Sequence, residues 1–544
     1  MEFYTYLTLH DLKTPSSNNG IILPCIDDFS SENLEYWALE YIKDFEPCQL
    51  IEFSSWLNMI FSVKGINASE FFQFQNHLLQ QTGWPTFNHK ILFHRYNTLS
   101  LIGLAAKHIK TLKGKVCLSA NSLGDCGKYI VALAILNCHI HNEHDFIRQL
   151  IRDYPNYLHS DFVKRIYFNR IIKSYLLFTH QGNSDWDNLI SSFEKKTKLE
   201  IKQIVKYIAG FWQYYFSNFN LTRAKTFFIN DSKFKKALPI IKYLSTTTSE
   251  LGNKLSSQNI ELYNVPIETV LRPIMHKEKG IRFPMDFLSI IDTNGALAYE
   301  IFKQCYYSEK KGSEQEQYKT YKDKIYSVVS EDIFINLIKR IFPKNFEETR
   351  YQPGYPECIV KDDASIILFE YTTQEPGYYT IFSQDISQVK KKYSNILICR
   401  TTQKNSKAKF DQISNQIGLL KTKYPGKSIF PILVTDNHFG DFDLLNEMDY
   451  FLTRAICEKK LQNLQENKIT ILSMDDIFFI FRYEEANLLS NLTQKLALWN
   501  SDLSLKREHC YSFSAYLISS CNGISENYKV FCNSTMSHLG IKTE

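Results

Sequence analysis

Apolar residues recur near every 3.6 positions through much of the first half of the chain. In ISSFEKKTKLEIKQIVKYIAGFWQYYF (190–216), Leu199, Ile201, Ile204, Val205, Ile208 and Trp212 share one face, which predicts an amphipathic helix. FVKRIYFNRIIKSYLLF (162–178) repeats the pattern. Residues 1–250 are therefore expected to form a mainly helical domain, with loops or short strands near 14–30 and 114–128. The Ser/Thr-rich piece LSTTTSELGNKLSSQN (244–259) reads as a boundary. Residues 251–329 read as a mixed connector holding three prolines in VPIETVLRPIMHKEKGIRFPMDFLSII and the hydrophilic SEKKGSEQEQYKTYKDK (308–324), a charged linker or solvated helix.

After residue 330 the pattern changes in kind. SEDIFINLIKRIF (330–342) predicts a helix with Ser330 as N-cap and Pro343 as its stop. Two short apolar runs follow, ECIVK and IILFEYT, and YSNILICRT (393–401) reads as a third strand. A helix over 406–424 is closed by Pro425-Gly426, and SIFPILVTD (428–436) reads as a buried strand. A helix near 445–466, a strand at 469–472 and a helix from Ser473 complete an α/β domain over 330–485. Residues 486–544 form a C-terminal segment whose pattern sets no particular fold. The fold expected is thus multidomain α+β or α/β, with a mostly helical N-terminal half, a mixed central sheet flanked by helices, and C-terminal helices.

Composition bounds this picture without pointing to a function. A chain of 544 residues is too long for one core, and 44% apolar with 22% charged residues is the balance of a folded protein. The start, MEFYTYLTLHDLK, has no signal-peptide pattern, the twelve cysteines form no CxxC pair, and no apolar run reaches the ~18–20 residues that span a bilayer. The chain is expected to be soluble and cytoplasmic, with no membrane partner. Three tempting motifs carry little. ANSLGDCGKY (120–129) lacks the first glycine and the Ser/Thr of a phosphate loop, CHIHNEH (138–144) lacks a second ligand pair, and His509-Cys510 has no orienting acid.

Chemistry concentrates in YPECIVKDDASIILFEYTTQ (355–374). A hairpin turning between Asp363 and Ala364 pairs positions whose numbers sum to 727, which sets Glu357 opposite Glu370. Opposed residues have β-carbons roughly 4.5–5.5 Å apart, so the two carboxylates converge. Like charges that close destabilise the sheet unless one stays protonated or a hard cation such as Mg²⁺ or Mn²⁺ is bound. The alternative is a solvated hairpin with incidental acids, but IILF is too apolar for an exposed strand. The same register sets Lys361 against Ile366, well along the strand from Glu357. Charge adds to this: residues 331–376 hold nine acids and five bases, whereas 387–427 hold ten bases and the single acid Asp411. An acidic cluster followed by a basic segment suits phosphodiester chemistry.

The stretch resembles the PD-(D/E)XK nuclease superfamily, with Pro356-Glu357 at the proline-acid position and Glu370-Tyr371-Thr372 at the E-X-K position. The resemblance covers about a fifth of the chain. Its order of helix, three-strand meander, helix and strand also fits 330–436. It implies a restriction-endonuclease-like domain hydrolysing DNA or RNA with Mg²⁺ or Mn²⁺ held by Glu357, Glu370 and Glu331. Gln412 and Gln416 fall where some members place polar residues facing the site. Thr372 replaces the motif lysine, and a hydroxyl can hydrogen-bond a water but supplies no charge; Lys407 or Lys409, on the next helix, could reach in instead. Lys390, Lys391, Lys392, Lys404, Lys407 and Lys409 are the expected nucleic-acid contacts, and the helical half is expected to serve recognition or a protein partner, by analogy with bacterial defence proteins. Two other readings keep less of the chemistry: a decayed nuclease scaffold that binds nucleic acid or a partner, and a helical interaction or effector protein without nucleic-acid activity.

Overall fold

The structure is a computed structural model. It describes residues 34–63, 95–114, 126–137, 160–218, 234–258, 271–276, 282–286, 295–374, 386–398, 408–436, 455–483 except 458, 489–501 and 513–540 except 522, with isolated positions elsewhere before 81 and at 269. The chain divides into two compact units. One comprises Met1–Ile171, Lys198–Glu300 and Gly377–Ile386, and the other Ile172–Thr197, Ile301–Pro376 and Ser387–Glu544. Among the described residues no helix is long and apolar enough to cross a membrane.

The first unit is mainly helical, with helices at Leu34–Ile42, Pro47–Val63, Arg95–Lys107, Cys126–Asn137, Ile201–Asn218 and Thr248–Ser257. The Ser/Thr-rich segment expected as a boundary is instead folded. Ser245–Thr247 is a strand parallel to Ile274–His276, which pairs antiparallel with Arg282–Pro284. The next helix starts in a reciprocal cap: Glu250 N donates to Thr247 Oγ1 at 3.1 Å, and Thr247 N to Glu250 Oε2 at 2.7 Å. Its polarity belongs to this cap and to an exposed face. The stretch 190–216 is likewise not one helix. Ser184–Thr197, which belongs to the second unit, ends at Lys198, whose φ of 61° breaks the spiral, and Ile201–Asn218 starts afresh in the first. Ile201, Ile204, Val205 and Ile208 are buried as their spacing predicts.

The second unit is built on a five-stranded mixed sheet. A long helical run enters it, Glu314–Tyr321 continuing through a π turn at Lys322–Tyr326 into α1 (Ser327–Ile341). Ser313 is the true cap, accepting from Glu316 N, so Ser330 lies buried mid-helix and Glu331 is far from any helix start. The stop before Pro343 stands where the sequence puts it. Strands β1 (Phe346–Glu348), β2 (Cys358–Lys361) and β3 (Ser365–Thr372) form an antiparallel meander. The β2–β3 register pairs Cys358 with Phe369 and Lys361 with Ile366, the register expected from the turn.

The strand expected at 393–401 is, over its described residues, the end of a helix, α2 (Ile386–Leu397), and 399–401 lie outside the described residues. Its apolar residues read at helical spacing, since Tyr393 and Leu397 are buried one turn apart while Lys391 and Lys392 are exposed. The third strand of the meander is β1, three residues long and ahead of the other two. Then come α3 (Lys409–Lys423), β4 (Ser428–Thr435), β5 (Thr470–Ser473) and α4 (Met474–Tyr483). The sheet order is β5-β4-β3-β2-β1, with β4 and β5 parallel to β3. Central strand β3 is buried along its whole length, as expected of a strand paired on both edges and covered on both faces. Of the helix expected near 445–466, residues 455–457 and 459 and Gln462–Glu466 are helical, interrupted at Lys460 with φ 53°, and residues 437–454 lie outside the described residues. Helices α5 (Leu489–Ser501), α6 (Phe513–Ser520) and α7 (Glu526–Leu539) follow. CHIHNEH and His509-Cys510 lie outside the described residues.

Candidate functional site

Alternation along β3 sends Glu370 and Thr372 to one face of the sheet and Tyr371 to the other. On the first face lies α3, whose Lys409 and Gln416 stand seven residues apart and so project from the same side. Both reach Glu370, which is completely buried. Lys409 Nζ donates to Glu370 Oε1 at 2.6 Å and to the Tyr371 carbonyl at 3.1 Å. Gln416 Nε2 donates to Glu370 Oε2 at 2.7 Å. Gln416 is 1% exposed, and its other polar atom, Oε1, is buried without a hydrogen-bond partner. Gln412, one turn earlier, is half-buried, and the glutamine that meets Glu370 is Gln416.

Glu357 stands one register step beyond the last β2–β3 pair. The loop before it fixes its place: Pro356 O accepts from Thr349 Oγ1 at 2.6 Å, and Glu357 O accepts from the amides of Thr349 and Arg350 at 3.0 Å each. The Glu357 carboxylate turns to β3 and accepts from Tyr371 N at 3.0 Å. Burial, and then the adjacent Glu370 carboxylate, push its carboxyl well above the usual carboxylate range. The β2–β3 register and the Tyr371 amide bond bring the two opposed acids together at the end of the strand pair.

Glu331 lies half-buried at the rim. Burial raises its carboxyl, Arg350 at 3.7 Å opposes that rise, and Asp332 and Glu370 add to it. Arg350 is itself held by Asp332 and by Glu348 at 2.7 Å. Thr372 is buried, and its Oγ1 accepts from Gln374 N at 3.1 Å, a local turn. The positive charge beside Glu370 thus comes from Lys409 on the following helix. Lys361, at the opposite end of the hairpin, is paired with Glu347.

Of the lysines expected to meet nucleic acid, Lys391 and Lys392 are exposed on α2, and Lys390 belongs to the same helix. Lys404 and Lys407 lie outside the described residues. Lys409 is 9% exposed and engaged with Glu370.

Among the described residues no group of three or more His, Cys, Asp or Glu side chains gathers closely enough to hold a metal by itself. The donor set at the strand end is two carboxylates, the Tyr371 carbonyl and the partnerless Gln416 Oε1. An all-oxygen set with an unused buried acceptor fits a hard divalent cation that keeps water ligands, and does not fit a thiolate- or imidazole-preferring metal.

Behind Tyr371, on the other face, is a second buried cluster. Asp436, just past the end of β4, accepts from Tyr371 Oη at 2.8 Å, Tyr326 Oη at 2.7 Å and Lys173 Nζ at 3.0 Å. Burial alone raises this carboxyl, but Lys173, then Lys322 and the two hydroxyls, bring it down to about 2. The Tyr371 ring stacks on Phe334 of α1 at 4.9 Å. No local signal marks Asp436 or Lys173, since 263 residues separate them. No protein-family model matches the chain, and no curated protein or solved structure matches it.

Proposed function

We propose that the second unit is a divalent-cation-dependent phosphodiesterase of the PD-(D/E)XK type, acting on DNA or RNA. The observation that carries this reading is the convergence of Glu357, Glu370 and Lys409 at the carboxyl end of a central strand. It sits in a sheet with an antiparallel meander and parallel partners. The helix-meander-helix-strand order supports the same reading. Glu357 and Glu370 would hold Mg²⁺ or Mn²⁺, which supplies Lewis-acid charge and makes a bound water more acidic.

The chain's own residues do the rest. Glu357 is kept in line by the Tyr371 amide, and Gln416 fixes the orientation of Glu370. Lys409 supplies the ammonium that Thr372 lacks and favours charge developing on phosphate oxygens. Glu331, at the rim, tunes the field of the pair.

The test is cleavage of single- and double-stranded DNA and RNA by the full chain with Mn²⁺ or Mg²⁺. Glu370→Gln keeps the shape of the buried side chain and is expected to lower cleavage by about 100-fold or more. Failure of the wild-type chain to cut any of these polymers with either ion overturns the reading.

A further inference from the structure

The oxygens that a divalent ion would use at this strand end are already engaged by a cation of the chain's own. Lys409 Nζ lies 2.6 Å from Glu370 Oε1 and 3.1 Å from the Tyr371 carbonyl, a carboxylate oxygen and the neighbouring main-chain oxygen. A Mg²⁺ or Mn²⁺ bonded to the same oxygen at about 2.0–2.2 Å would stand against that ammonium, with like charges in a buried place. The two cannot share these atoms.

Two further observations bear on which one yields. The site holds more acceptors than Lys409 uses, because Gln416 Oε1 is buried with no donor and Glu357 adds a second carboxylate. Lys409 is also the first residue of α3, so its flexible four-carbon stem can swing without breaking a helix interior.

We propose that Lys409 is a resident cation that keeps the place of the divalent ion. Loading the site moves its ammonium off Glu370 and the Tyr371 carbonyl, where it becomes the positive charge offered to an anionic substrate. The inference rests on the proposed metal site and adds an exchange between two cations. In the metal-free chain the ammonium neutralises Glu370, so the site stays assembled, and the charge needed for phosphate is released only when the ion arrives.

The exchange is read without any activity. The full chain is treated with an amine-reactive acylating reagent, with and without saturating Mn²⁺, and modification at Lys409 is measured by peptide mass spectrometry beside the exposed Lys391 and Lys392. Calorimetry gives Mn²⁺ affinity for the wild-type chain and for Lys409→Met. Expected are a several-fold rise in Lys409 labelling on adding Mn²⁺, unchanged labelling of Lys391 and Lys392, and Mn²⁺ binding tightened about tenfold or more in Lys409→Met once the competitor is gone. Binding by Lys409→Met alone also supports the placeholder. Saturable Mn²⁺ binding with unchanged Lys409 labelling overturns the exchange and leaves the metal site standing. Absence of Mn²⁺ binding in both proteins overturns the metal site and the exchange together.

Discussion

At the scale of single residues, the site is held together by groups that oppose each other electrostatically. Glu357 is the clearest case. Its carboxyl titrates above 4.5 in the folded chain, so in that window the folded state holds a proton that the unfolded chain has released, and stability falls as pH rises. Glu357→Gln keeps an acceptor for the Tyr371 amide and removes this cost. With chelator present, its melting temperature is expected to exceed the wild-type value at pH 8 and to equal it below pH 4. Asp436 has the opposite sign. Its carboxyl sits at about 2, so its contribution is complete above the unfolded value of 3.8 and is lost as pH falls through about 2. Asp436→Asn leaves Lys173 buried without its charge partner and is expected to cost roughly 3–5 kcal/mol at pH 7 in urea unfolding. That gap should narrow by about 2 kcal/mol on going to pH 2. The facing of Glu357 and Glu370 was legible in the sequence because a short turn fixes register. Lys409 was one of two lysines in reach, and it is the seating of α3 on β3 that brings it to Glu370, while Lys407 lies outside the described residues. Asp436 and Lys173 had no local signal at all.

At the scale of elements, legibility followed the strength of local signals. The stop at Pro343, the turn at Gly426 with φ 86° and the helix opening at Ser473 all stand where the sequence puts them. Ser473 and Asp476 cap each other, with Ser473 N donating to Asp476 Oδ2 at 2.7 Å. The run 393–401 misled because a short apolar stretch fits a buried strand or one face of a helix, and its period is settled only by residues upstream. Strand β1, three residues long, is defined by pairing and carries no pattern of its own. In the first unit the Ser/Thr-rich segment hides a close helix crossing. A Cβ built on Gly252 would lie 2.3 Å from the Ala106 carbonyl oxygen, so Gly252→Ala forces the two backbones apart. It is expected to destabilise the first unit by about 2 kcal/mol or more, read as a lower thermal midpoint, with Mn²⁺ binding by the second unit unchanged.

At the scale of the whole molecule, the acid-to-base contrast along the chain acquires a different meaning once folded. The acidic segment does carry the carboxylates of the site. Much of the basic segment already has partners within the fold: Lys409 is buried on Glu370, while nearer the surface Lys421 meets Glu466, Lys423 lies toward Glu347 and Lys427 donates to the Asp362 carbonyl. Among the described lysines of this segment, Lys391 and Lys392 on α2 and Lys423 at the end of α3 are exposed. The whole candidate site belongs to the second unit, while the first carries its own sheet and helices. The central claim is that an ammonium from α3 replaces the one missing at Thr372, and Lys409→Met tests it most directly. With Mn²⁺ and single-stranded or duplex polynucleotide, the wild-type chain is predicted to cut. Lys409→Met should bind the ion more tightly yet cut slower by about 100-fold or more. Cleavage by Lys409→Met at the wild-type rate contradicts the account.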